Sequence, residues 1–415
     1  MDLSTKSVLV VGFNTRPLAY SLKNANYDVY AVDFFGDIDL YPNIKDSLVL
    51  TKELETDYES IRDNYSKLLS NFTIKMLKKY PEIDYLIIGS GIDDAYEERE
   101  AIFNEIKNKD YKIKNLNNDV KTLKKARDII FIYNLLKSNQ FNVPFTINYD
   151  NLRSYKRKLQ FPIIFKKYKS AGGINVFKIE NFEELTTLIK YLEVKKFNSS
   201  EWLIQEYVDG MPISCTTISN GNECEIISIN RQIIGEQFLN SPKEFMYCGN
   251  IVPADLSKEE DELITKISKT LANELGLKGI NGFDFVLKEH YPYLMEINPR
   301  IPGSIRASEM SYDINLMDLH IKSFDLDKWD LIQQLIRSKK LSGFSTKLII
   351  FAPKEIKKSH ISKINNLEYV HDKSTPNKNT LKGEPLCTIL YKGGDLSESY
   401  KGAIDIVNKI NNIIN

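Results

Sequence analysis

The sequence predicts an α/β and α+β fold that begins with an open parallel sheet. Short apolar runs at 7–12, 27–33 and 85–89 alternate with segments of helical periodicity. Continuous apolar runs are typical of strands that a parallel sheet buries on both faces. The alternation indicates βαβ crossovers, so we expect an open sheet with helices on both of its faces.

Two loops follow strands of this predicted sheet, at 13–16 and 90–94. Ligands of open parallel sheets bind beyond the carboxyl ends of the strands. Arg16 stands before Pro17, a residue that fits the first turn of a helix, and a helix N-terminus adds positive potential. We therefore expect Arg16 to bind an anionic group of a substrate, with Ser90 at the same edge. The alternative is a solvated arginine in a loop.

A dinucleotide-binding domain is the competing interpretation of this sheet. Asp33 ends the second strand, where the ribose of NAD would find a partner. The glycine fingerprint is missing, because Gly12 is followed by Phe-Asn-Thr-Arg. The sequence therefore disfavours a dinucleotide site.

Downstream of the predicted parallel sheet, the pattern of apolar and polar residues predicts further structural units. A lysine-rich helical segment at 119–138 leads into a small α+β unit at 145–204 and a larger unit at 205–325. The final region, 326–415, is expected to contain helices and two apolar strands. We therefore expect three domains, with an N-terminal Rossmann-like domain over 1–118.

Composition excludes several classes of protein. The chain has 415 residues, of which 42% are hydrophobic and 27% are charged, and its formal net charge is zero. This is typical of a folded globular protein and gives no nucleic-acid footprint. The four cysteines form no CxxC pair, which predicts buried thiols rather than a zinc site. Without a signal peptide or a bilayer-length apolar run, we expect a cytoplasmic protein that binds no membrane.

An apolar hairpin near 282–300 carries the most specific polar pattern. Asp284 lies on its first apolar run. The second run carries, at alternate positions, Glu296, Asn298 and Arg300. Side chains at i and i+2 of a strand share a face, so these groups should project together. Two carboxylates and an amide oxygen suit Mg²⁺, and the arginine suits a phosphate or carboxylate. The alternative, a solvated charged face, fits this apolar hairpin poorly.

Two upstream segments extend the pattern. An apolar strand at 161–166 ends in Lys166 and precedes a loop of small residues, Ser170, Ala171, Gly172 and Gly173. A segment at 202–214 contains Gln205, Glu206, Tyr207, Val208 and Asp209. In this order, the two segments and the hairpin resemble the ATP-grasp superfamily. The stretches 12–37 and 245–253 resemble its branch of predicted carboligases, so the resemblance covers nearly the whole chain.

The resemblance implies that ATP binds between a mobile lid lobe, 145–204, and a catalytic lobe, 205–325. Lys166 is expected to contact the phosphates, and the backbone of Ser170, Ala171, Gly172 and Gly173 to present N–H groups to them. From the residues alone, the alternatives are an edge lysine facing water and an ordinary tight turn. The final region resembles the small β-rich domain of biotin-carboxylase-like members.

The segment after the lid resembles the adenine-binding hinge of the superfamily. Backbone groups of Glu206 and Val208, beside Tyr207, are expected to read the adenine edge, with Gln205 or Glu206 as the side-chain partner. Asp209 is expected to replace the ribose-binding acid of relatives, which has no match here. The alternative is an ordinary strand end.

The sequence departs from the family pattern at a second position. Relatives place a lysine early in the helix before the lid lobe, and Ile129 lies near the matching position here. Arg127 or Lys125 is expected to supply that charge, or else the segment is a solvated basic turn. Arg231 is expected to stabilise the transferred phosphate, the alternative being a surface arginine. Ser304, in the loop after Arg300, is expected to contact the substrate.

The resemblance implies an ATP- and Mg²⁺-dependent ligase, with Mn²⁺ as an alternative metal. Asp284, Glu296 and Asn298 would bind the metal. A small-molecule carboxylate would react through an acyl phosphate with an amine, either an amino acid or a peptide or cofactor precursor, releasing ADP and phosphate. Asn298 and Arg300 are also expected to assist catalysis. The alternatives are a carboxylase or kinase using bicarbonate or a hydroxyl acceptor, and a nucleotide-binding regulator without turnover. The sequence leaves open whether the protein forms a homodimer.

Overall fold

The computed structural model describes residues 5–55, 58–61, 64–109, 111–169, 172–194, 197–376 and 378–414. Its strands form three sheets of five, four and eight strands. The strands are β1 Ser7–Gly12, β2 Asp28–Asp33, β3 Asp46–Val49, β4 Tyr85–Ile88, β5 Lys114–Asn115, β6 Thr146–Asn148, β7 Ile163–Lys167, β8 Val176–Ile179, β9 Trp202–Glu206, β10 Met211–Asn220, β11 Cys224–Ile234, β12 Tyr247–Val252, β13 Lys278–Lys288, β14 Tyr291–Asn298, β15 Phe344–Phe351, β16 Val370–His371 and β17 Pro385–Gly393.

The helices surround these sheets. They are α1 Arg16–Asn24, α2 Leu50–Glu53, α3 Tyr58–Ile61, α4 Tyr65–Lys79, α5 Tyr96–Asn108, α6 Val120–Ala126, α7 Ile129–Ser138, α8 Leu152–Tyr155, α9 Phe182–Glu193, α10 Lys258–Leu275, α11 Ile305–Tyr312, α12 Leu316–Lys322, α13 Trp329–Ser338, α14 Lys358–Asn365 and α15 Leu396–Ile414. None of them, within the described ranges, is long and apolar enough to cross a bilayer.

The N-terminal sheet is parallel, in the order β3-β2-β1-β4-β5, which confirms the predicted fold class. Asp33, at the end of β2, accepts hydrogen bonds from the Thr15 N–H and hydroxyl at 2.7 Å and from the Gly36 N–H at 2.6 Å. These bonds occupy both carboxylate oxygens. Asp33 therefore holds the two loops together and is not free to bind a ribose.

The four-stranded sheet runs β6-β9-β7-β8, and the eight-stranded sheet runs β14-β13-β10-β11-β12-β15-β17-β16. Both sheets pair antiparallel throughout. The last three strands of the larger sheet come from the final region of the chain, which therefore extends the sheet of the preceding unit. The domain boundaries near 118 and 325 stay a prediction.

The helical segment predicted over 119–138 is two helices. α6 ends at Ala126, and the Asp128 carboxylate caps α7 by accepting the Phe131 N–H at 3.0 Å. Capping residues favour helix starts because they satisfy unpaired N–H groups. Arg127 lies at the break between the helices, where its side chain leaves the helical surface.

A buried ion pair joins the N-terminal sheet to the final region. The Arg16 Nε lies 2.7 Å from Asp372 Oδ1 and 3.6 Å from Asp39 Oδ2, and only 4% of the Arg16 side chain is exposed. Asp39 also accepts the backbone N–H groups of Asp372 and Lys373. The structure thus places Arg16 against two carboxylates of the protein itself.

Replacing Asp372 by Asn should destabilise the fold by about 3 kcal/mol, because it removes the nearer of the two carboxylates that neutralise the buried Arg16 charge. Urea unfolding of the two proteins measures this difference. The exposed pair of Lys6 and Asp84 provides the control, since Lys6→Met breaks only a solvent-screened contact and should leave the unfolding midpoint close to that of the wild type. Equal effects of the two changes would contradict a buried, structural pair at Arg16.

Candidate active site

The hairpin of β13 and β14 brings the predicted polar groups to one face. Asp284 is paired directly with Glu296, and Gly282 with Asn298. The strands are joined through Glu289 and His290, whose φ angles of 48° and 66° are typical of a tight two-residue hairpin turn. The turn sets the register, and the register places the two carboxylates side by side.

The Asp284 carboxylate receives two side-chain hydrogen bonds. Asn298 Nδ2 donates to Oδ2 at 2.7 Å, and Gln232 Nε2 donates to Oδ1 at 2.9 Å. Burial raises the pKa of Asp284 to about 7, and the nearby Glu296 charge adds to this effect. The protein therefore holds two carboxylates at an electrostatic cost that a bound cation would relieve.

Arg127 neutralises part of this charge. Its Nη1 donates to Glu296 Oε1, and its Nε and Nη2 form a two-pronged contact with Asp94 at 3.0 and 2.9 Å. Only 5% of the Arg127 side chain is exposed, against 39% for Glu296. Of the two predicted replacements for the helix lysine, Arg127 reaches the cluster, whereas Lys125 is exposed.

Arg300 is held by the same N-terminal loop. Its Nε donates to Asp93 Oδ1, its Nη1 donates to the Ile301 carbonyl at 3.1 Å, and both charged side chains are largely buried. Asp93 also accepts the Gly91 N–H at 3.0 Å. The loop after β4 therefore orients both arginines that face the hairpin.

Lys166, on β7, is half-buried, and its Nζ donates to Gln205 Oε1 at 3.0 Å. Gln205 is 2% exposed and donates through Nε2 to the hydroxyls of Tyr133 and Thr146, both at 2.9 Å. Burial lowers the pKa of Lys166 to about 8, against the opposing effect of Glu296. This lysine lacks a described carboxylate in direct contact, which favours an anionic ligand.

A small cavity of about 60 Å³ connects these groups. Its polar lining comes from Arg127, Lys166, Lys167, Tyr168 and Glu296, and Gly173 closes one side. A Cβ atom on Gly173 would lie 1.9 Å from the Phe245 carbonyl oxygen, so the loop presses against the segment before β12. Ligand pockets are usually larger than about 300 Å³, so this cavity is too small for a ligand of that size in this conformation.

The remaining predicted nucleotide contacts are placed as follows. Gly172 lies at the loop tip with open space around it, and Ser170 and Ala171 lie outside the described residues. The Glu206 N–H donates to the Phe145 carbonyl at 2.8 Å, and the Glu206 carboxylate accepts the Phe145 N–H at 3.1 Å. Glu206 is thus engaged at the strand edge, whereas Gln205 points inward. Beyond β9, Val208 is buried, Tyr207 is half-buried and Asp209 is exposed.

Arg231 is not brought to the cluster. It is exposed, and its neighbour Gln232 contacts Asp284. Successive residues of a strand point to opposite faces, so Arg231 lies on the other side of β11. Because side chains alternate along a strand, Asn230 and Gln232 share one face and Arg231 lies on the other. This alternation is the sequence signal for Gln232 at the cluster.

The predicted substrate residues lie at different distances from the cluster. Ser304 is buried beside Thr216, with the two hydroxyl oxygens 3.2 Å apart, in the loop that follows Arg300. Ser90 lies at the carboxyl edge of the N-terminal sheet, where its carbonyl accepts the Phe13 N–H at 2.9 Å. Arg16 lies at the same edge, but in the ion pair with Asp372.

The donor set of the hairpin fits a divalent metal. Asp284 and Glu296 offer carboxylate oxygens, and Asn298, beside Asp284, offers an amide oxygen. Oxygen atoms of these kinds are the hard ligands that Mg²⁺ prefers. In the described part of the chain no group of three or more His, Cys, Asp and Glu side chains is arranged as a metal site. The candidate metal ligands are therefore two carboxylates and one amide. The remaining coordination positions of a bound metal would suit phosphate oxygens and water.

Comparisons with known proteins agree with this geometry. Residues 126–304 match the ATP-grasp domain family. An uncharacterized protein of Methanocaldococcus jannaschii is 30% identical over 393 residues, covering 92% of this chain and 88% of that protein. A D-alanine–D-alanine ligase of Flavobacterium psychrophilum is 28% identical over 151 residues, 36% of this chain and 44% of the ligase.

A solved structure resembles the whole chain. The crystal structure of an L-amino acid ligase from Bacillus licheniformis superposes with a TM-score of 0.68 at 16% identity, covering 98% of this chain and 97% of that one. The two lobes that flank the cavity and the hairpin that carries the two carboxylates are consistent with these matches. The chain belongs to the ATP-grasp superfamily, and the predicted carboxylate–amine ligase branch fits these matches.

Replacing Asp284 by Asn should stabilise the metal-free protein at pH 8. The pKa of this carboxyl is raised from 3.8 to about 7 on folding, so its contribution to stability is full below pH 4 and is lost as the pH rises through 7. Asparagine does not titrate, so the variant does not lose this contribution to stability as the pH rises. Thermal unfolding in EDTA should show a higher midpoint than wild type at pH 8 and a shrinking difference towards pH 4.

Asp405→Asn, on the exposed face of α15, is the matched control and should leave the pH dependence unchanged. A variant at Asp284 that melts below the wild type at pH 8 would show that the carboxylate is stabilising as placed. That result would remove the electrostatic argument for a cation there.

Proposed function

We propose that this protein is an ATP- and Mg²⁺-dependent ligase that joins a small-molecule carboxylate to an amine through an acyl phosphate. The observation that carries this proposal is the convergence on one cavity of charged groups from three parts of the fold. Lys166 from the small sheet, Arg127 from the helix break and Glu296 from the hairpin line it together. Two cations beside a carboxylate pair suit a nucleotide polyphosphate with its metal.

The nucleotide would lie between the two sheets. Lys166 and Arg127 would contact the phosphate oxygens, since each is buried or half-buried and lies at the cavity. Apolar walls from Ile129, Leu203 and Ile297 would hold the base. Gln205 would orient Lys166 through the hydrogen bond between their side chains rather than contact adenine by itself.

Asp284, Glu296 and Asn298 would hold the metal. Bound there, Mg²⁺ supplies charge neutralisation at the β- and γ-phosphates. Arg127 now donates to Glu296, so on nucleotide binding it would share its donors between that carboxylate and the phosphates. No third carboxylate among the described residues joins this pair in a metal site, which would leave coordination positions of the metal for phosphate oxygens.

The residues would mostly position and neutralise charge. A substrate carboxylate oxygen would attack the γ-phosphorus, forming a carboxylic–phosphoric anhydride and releasing ADP. The amine nitrogen would then attack the activated carbonyl, releasing phosphate and a proton. Arg300, held by Asp93, would bind the carboxylate and stabilise the charge on the transferred group. Asn298 would hold Asp284 in place through its 2.7 Å hydrogen bond.

Two other uses of the site remain distinct hypotheses. A carboxylase or kinase would use bicarbonate or a hydroxyl acceptor, and release of phosphate that requires an amine separates these from the ligase. A regulator without turnover would not need Gln232 and Arg127 to orient the carboxylates. A homodimer, a cytoplasmic location and use of Mn²⁺ stay predictions.

Glu296→Gln should abolish ADP release while preserving the fold. The change keeps the volume of the side chain but removes a charge from the metal cluster, and Mg²⁺ tolerates the loss of a carboxylate poorly. A coupled assay of ADP release, run with a panel of carboxylates and amines, measures the effect. The rate should fall by at least about a hundredfold.

Glu289→Gln, in the exposed turn of the same hairpin, is the control and should keep the wild-type rate. If the Glu296 variant releases ADP as fast as the wild type, the metal assignment is wrong. If no combination of carboxylate and amine stimulates the wild type, the ligase assignment itself is wrong.

A further inference from the structure

Gln232 lies beside the metal cluster although its strand is not part of the hairpin. The sheet order β13-β10-β11 puts β10 between them, so the backbones of β11 and β13 lie about 10 Å apart. The Gln232 side chain reaches across β10, and its Nε2 lies 2.9 Å from Asp284 Oδ1. Ser214, which is paired directly with Asp284 on β10, is small and leaves room for this crossing.

The two oxygens of the Asp284 carboxylate have equivalent neighbours. Asn298 Nδ2 donates to Oδ2 at 2.7 Å, and Gln232 Nε2 donates to Oδ1. Each amide thus places its terminal group against one oxygen of the same carboxylate. Asn298 is one of the metal ligands proposed above, whereas Gln232 has no role there beyond orienting Asp284. Their geometry does not separate the two amides.

The amide oxygen of Gln232 is available to a ligand. Within the described ranges no N–H or O–H group donates to its Oε1, and its one side-chain hydrogen bond is the one to Asp284. Asn250, the residue paired with it on β12, is engaged elsewhere. The Asn250 Nδ2 donates to Ser214 Oγ at 3.2 Å, and its Oδ1 accepts the Tyr247 hydroxyl. An amide oxygen with free lone pairs is a donor atom for a hard cation.

The spacing at Asp284 matches that of two neighbouring metal ligands. Mg²⁺ lies about 2.1 Å from each ligand of an octahedral set, so adjacent oxygens lie about 3.0 Å from each other. The 2.9 Å between Gln232 Nε2 and Asp284 Oδ1 is close to that separation. A half-turn of the terminal amide exchanges its nitrogen with its oxygen and needs no movement of either strand. A carboxylate alone favours the N–H₂ group, and a cation favours the oxygen.

The coordination number also accommodates this ligand. An octahedral Mg²⁺ takes six oxygens. Asp284, Glu296 and Asn298 supply three when each binds through a single oxygen, and Gln232 would supply a fourth. Two positions then remain, which suit one oxygen from each of two neighbouring phosphates.

We propose that Gln232 is a fourth protein ligand of the metal, bound through its amide oxygen. The proposal rests on the metal role proposed above for Asp284, Glu296 and Asn298. It gives β11 a direct part in metal binding through Gln232, whereas Arg231, the predicted functional residue of that strand, lies on the other face. The alternative is an amide that only orients Asp284.

Titration with Mn²⁺ measures the contribution of Gln232 without any substrate. The electron paramagnetic resonance signal of free Mn²⁺ decreases as the ion binds, which gives a dissociation constant for the wild type and each variant. Gln232→Met keeps the length of the side chain and removes both polar atoms, so binding should weaken about 10- to 100-fold. Gln232→Glu puts a carboxylate oxygen at the same place and should bind at least as tightly as the wild type.

A spectroscopic signature separates a ligand from a residue that orients one, because loss of either weakens metal binding. Gln232→His has a side chain of similar reach that coordinates through nitrogen. In protein that carries isotopically labelled histidine, electron–nuclear double resonance of bound Mn²⁺ should show the coupling of a directly bound imidazole nitrogen. The wild type, whose cluster offers oxygen ligands, should not show it.

Arg231→His is the matched control, because it adds the same side chain on the exposed, opposite face of β11. It should show no nitrogen coupling and should bind Mn²⁺ with an affinity close to that of the wild type. Melting temperatures of the metal-free variants check that each of them is folded. If Gln232→His does not fold, the Met and Glu variants still decide the outcome.

The inference is overturned if Gln232→Met binds Mn²⁺ as the wild type does, or if Gln232→Glu binds as weakly as Gln232→Met. Folded Gln232→His that binds Mn²⁺ without the nitrogen coupling likewise overturns it. In these cases, loss of Mn²⁺ binding in Glu296→Gln leaves the metal cluster of the ligase standing. A wild type that binds no Mn²⁺ contradicts both proposals.

Discussion

The candidate site depends on two arginine–carboxylate contacts made by one loop. Asp93 and Asp94, directly after strand β4 of the N-terminal sheet, hold Arg300 and Arg127, and Arg127 reaches Glu296. The N-terminal sheet therefore does more than flank the catalytic unit, because its loop fixes the guanidinium groups that face the carboxylates. Such charge-assisted, partly two-pronged contacts are among the stronger and more directional ones in proteins. Movement of this loop would disturb the hairpin chemistry directly.

The charged side chains of the candidate site destabilise the folded protein when no ligand is bound. Binding of a ligand would offset this cost. Asp284 and Glu296 lie side by side with a raised pKa at Asp284, and Lys166 and Lys347 are lysines with little neutralising contact, each with a pKa lowered to about 8 by burial. A sequence selected for stability alone would avoid such groups. The carboxylates and the lysines carry opposite charges and lie on different sides of the cavity and the sheet. A cation bound at the carboxylates and an anion bound at the lysines would neutralise them.

Much of this was predictable from local pattern. The parallel sheet, the antiparallel hairpin and the convergence of Asp284, Glu296 and Asn298 follow from apolar runs and the two-residue period of strands. Contacts between distant segments did not follow, because no local rule pairs Arg16 with Asp372 or Asp94 with Arg127. Arg231 is the predicted phosphate-stabilising residue of β11, whereas strand alternation places Gln232, and not Arg231, on the face of Asp284. The roles of the nucleotide and substrate residues stay proposals.

Trapping of the activated carboxylate tests the central claim most directly. Incubating the protein with ATP, Mg²⁺ and a panel of carboxylates in the presence of hydroxylamine, without any other amine, should yield a hydroxamate and ADP in equal amounts. Omitting Mg²⁺ or substituting Glu296 should abolish both products. ADP formed without hydroxamate for every carboxylate, or hydroxamate formed equally without Mg²⁺, would contradict an acyl phosphate made at this carboxylate hairpin.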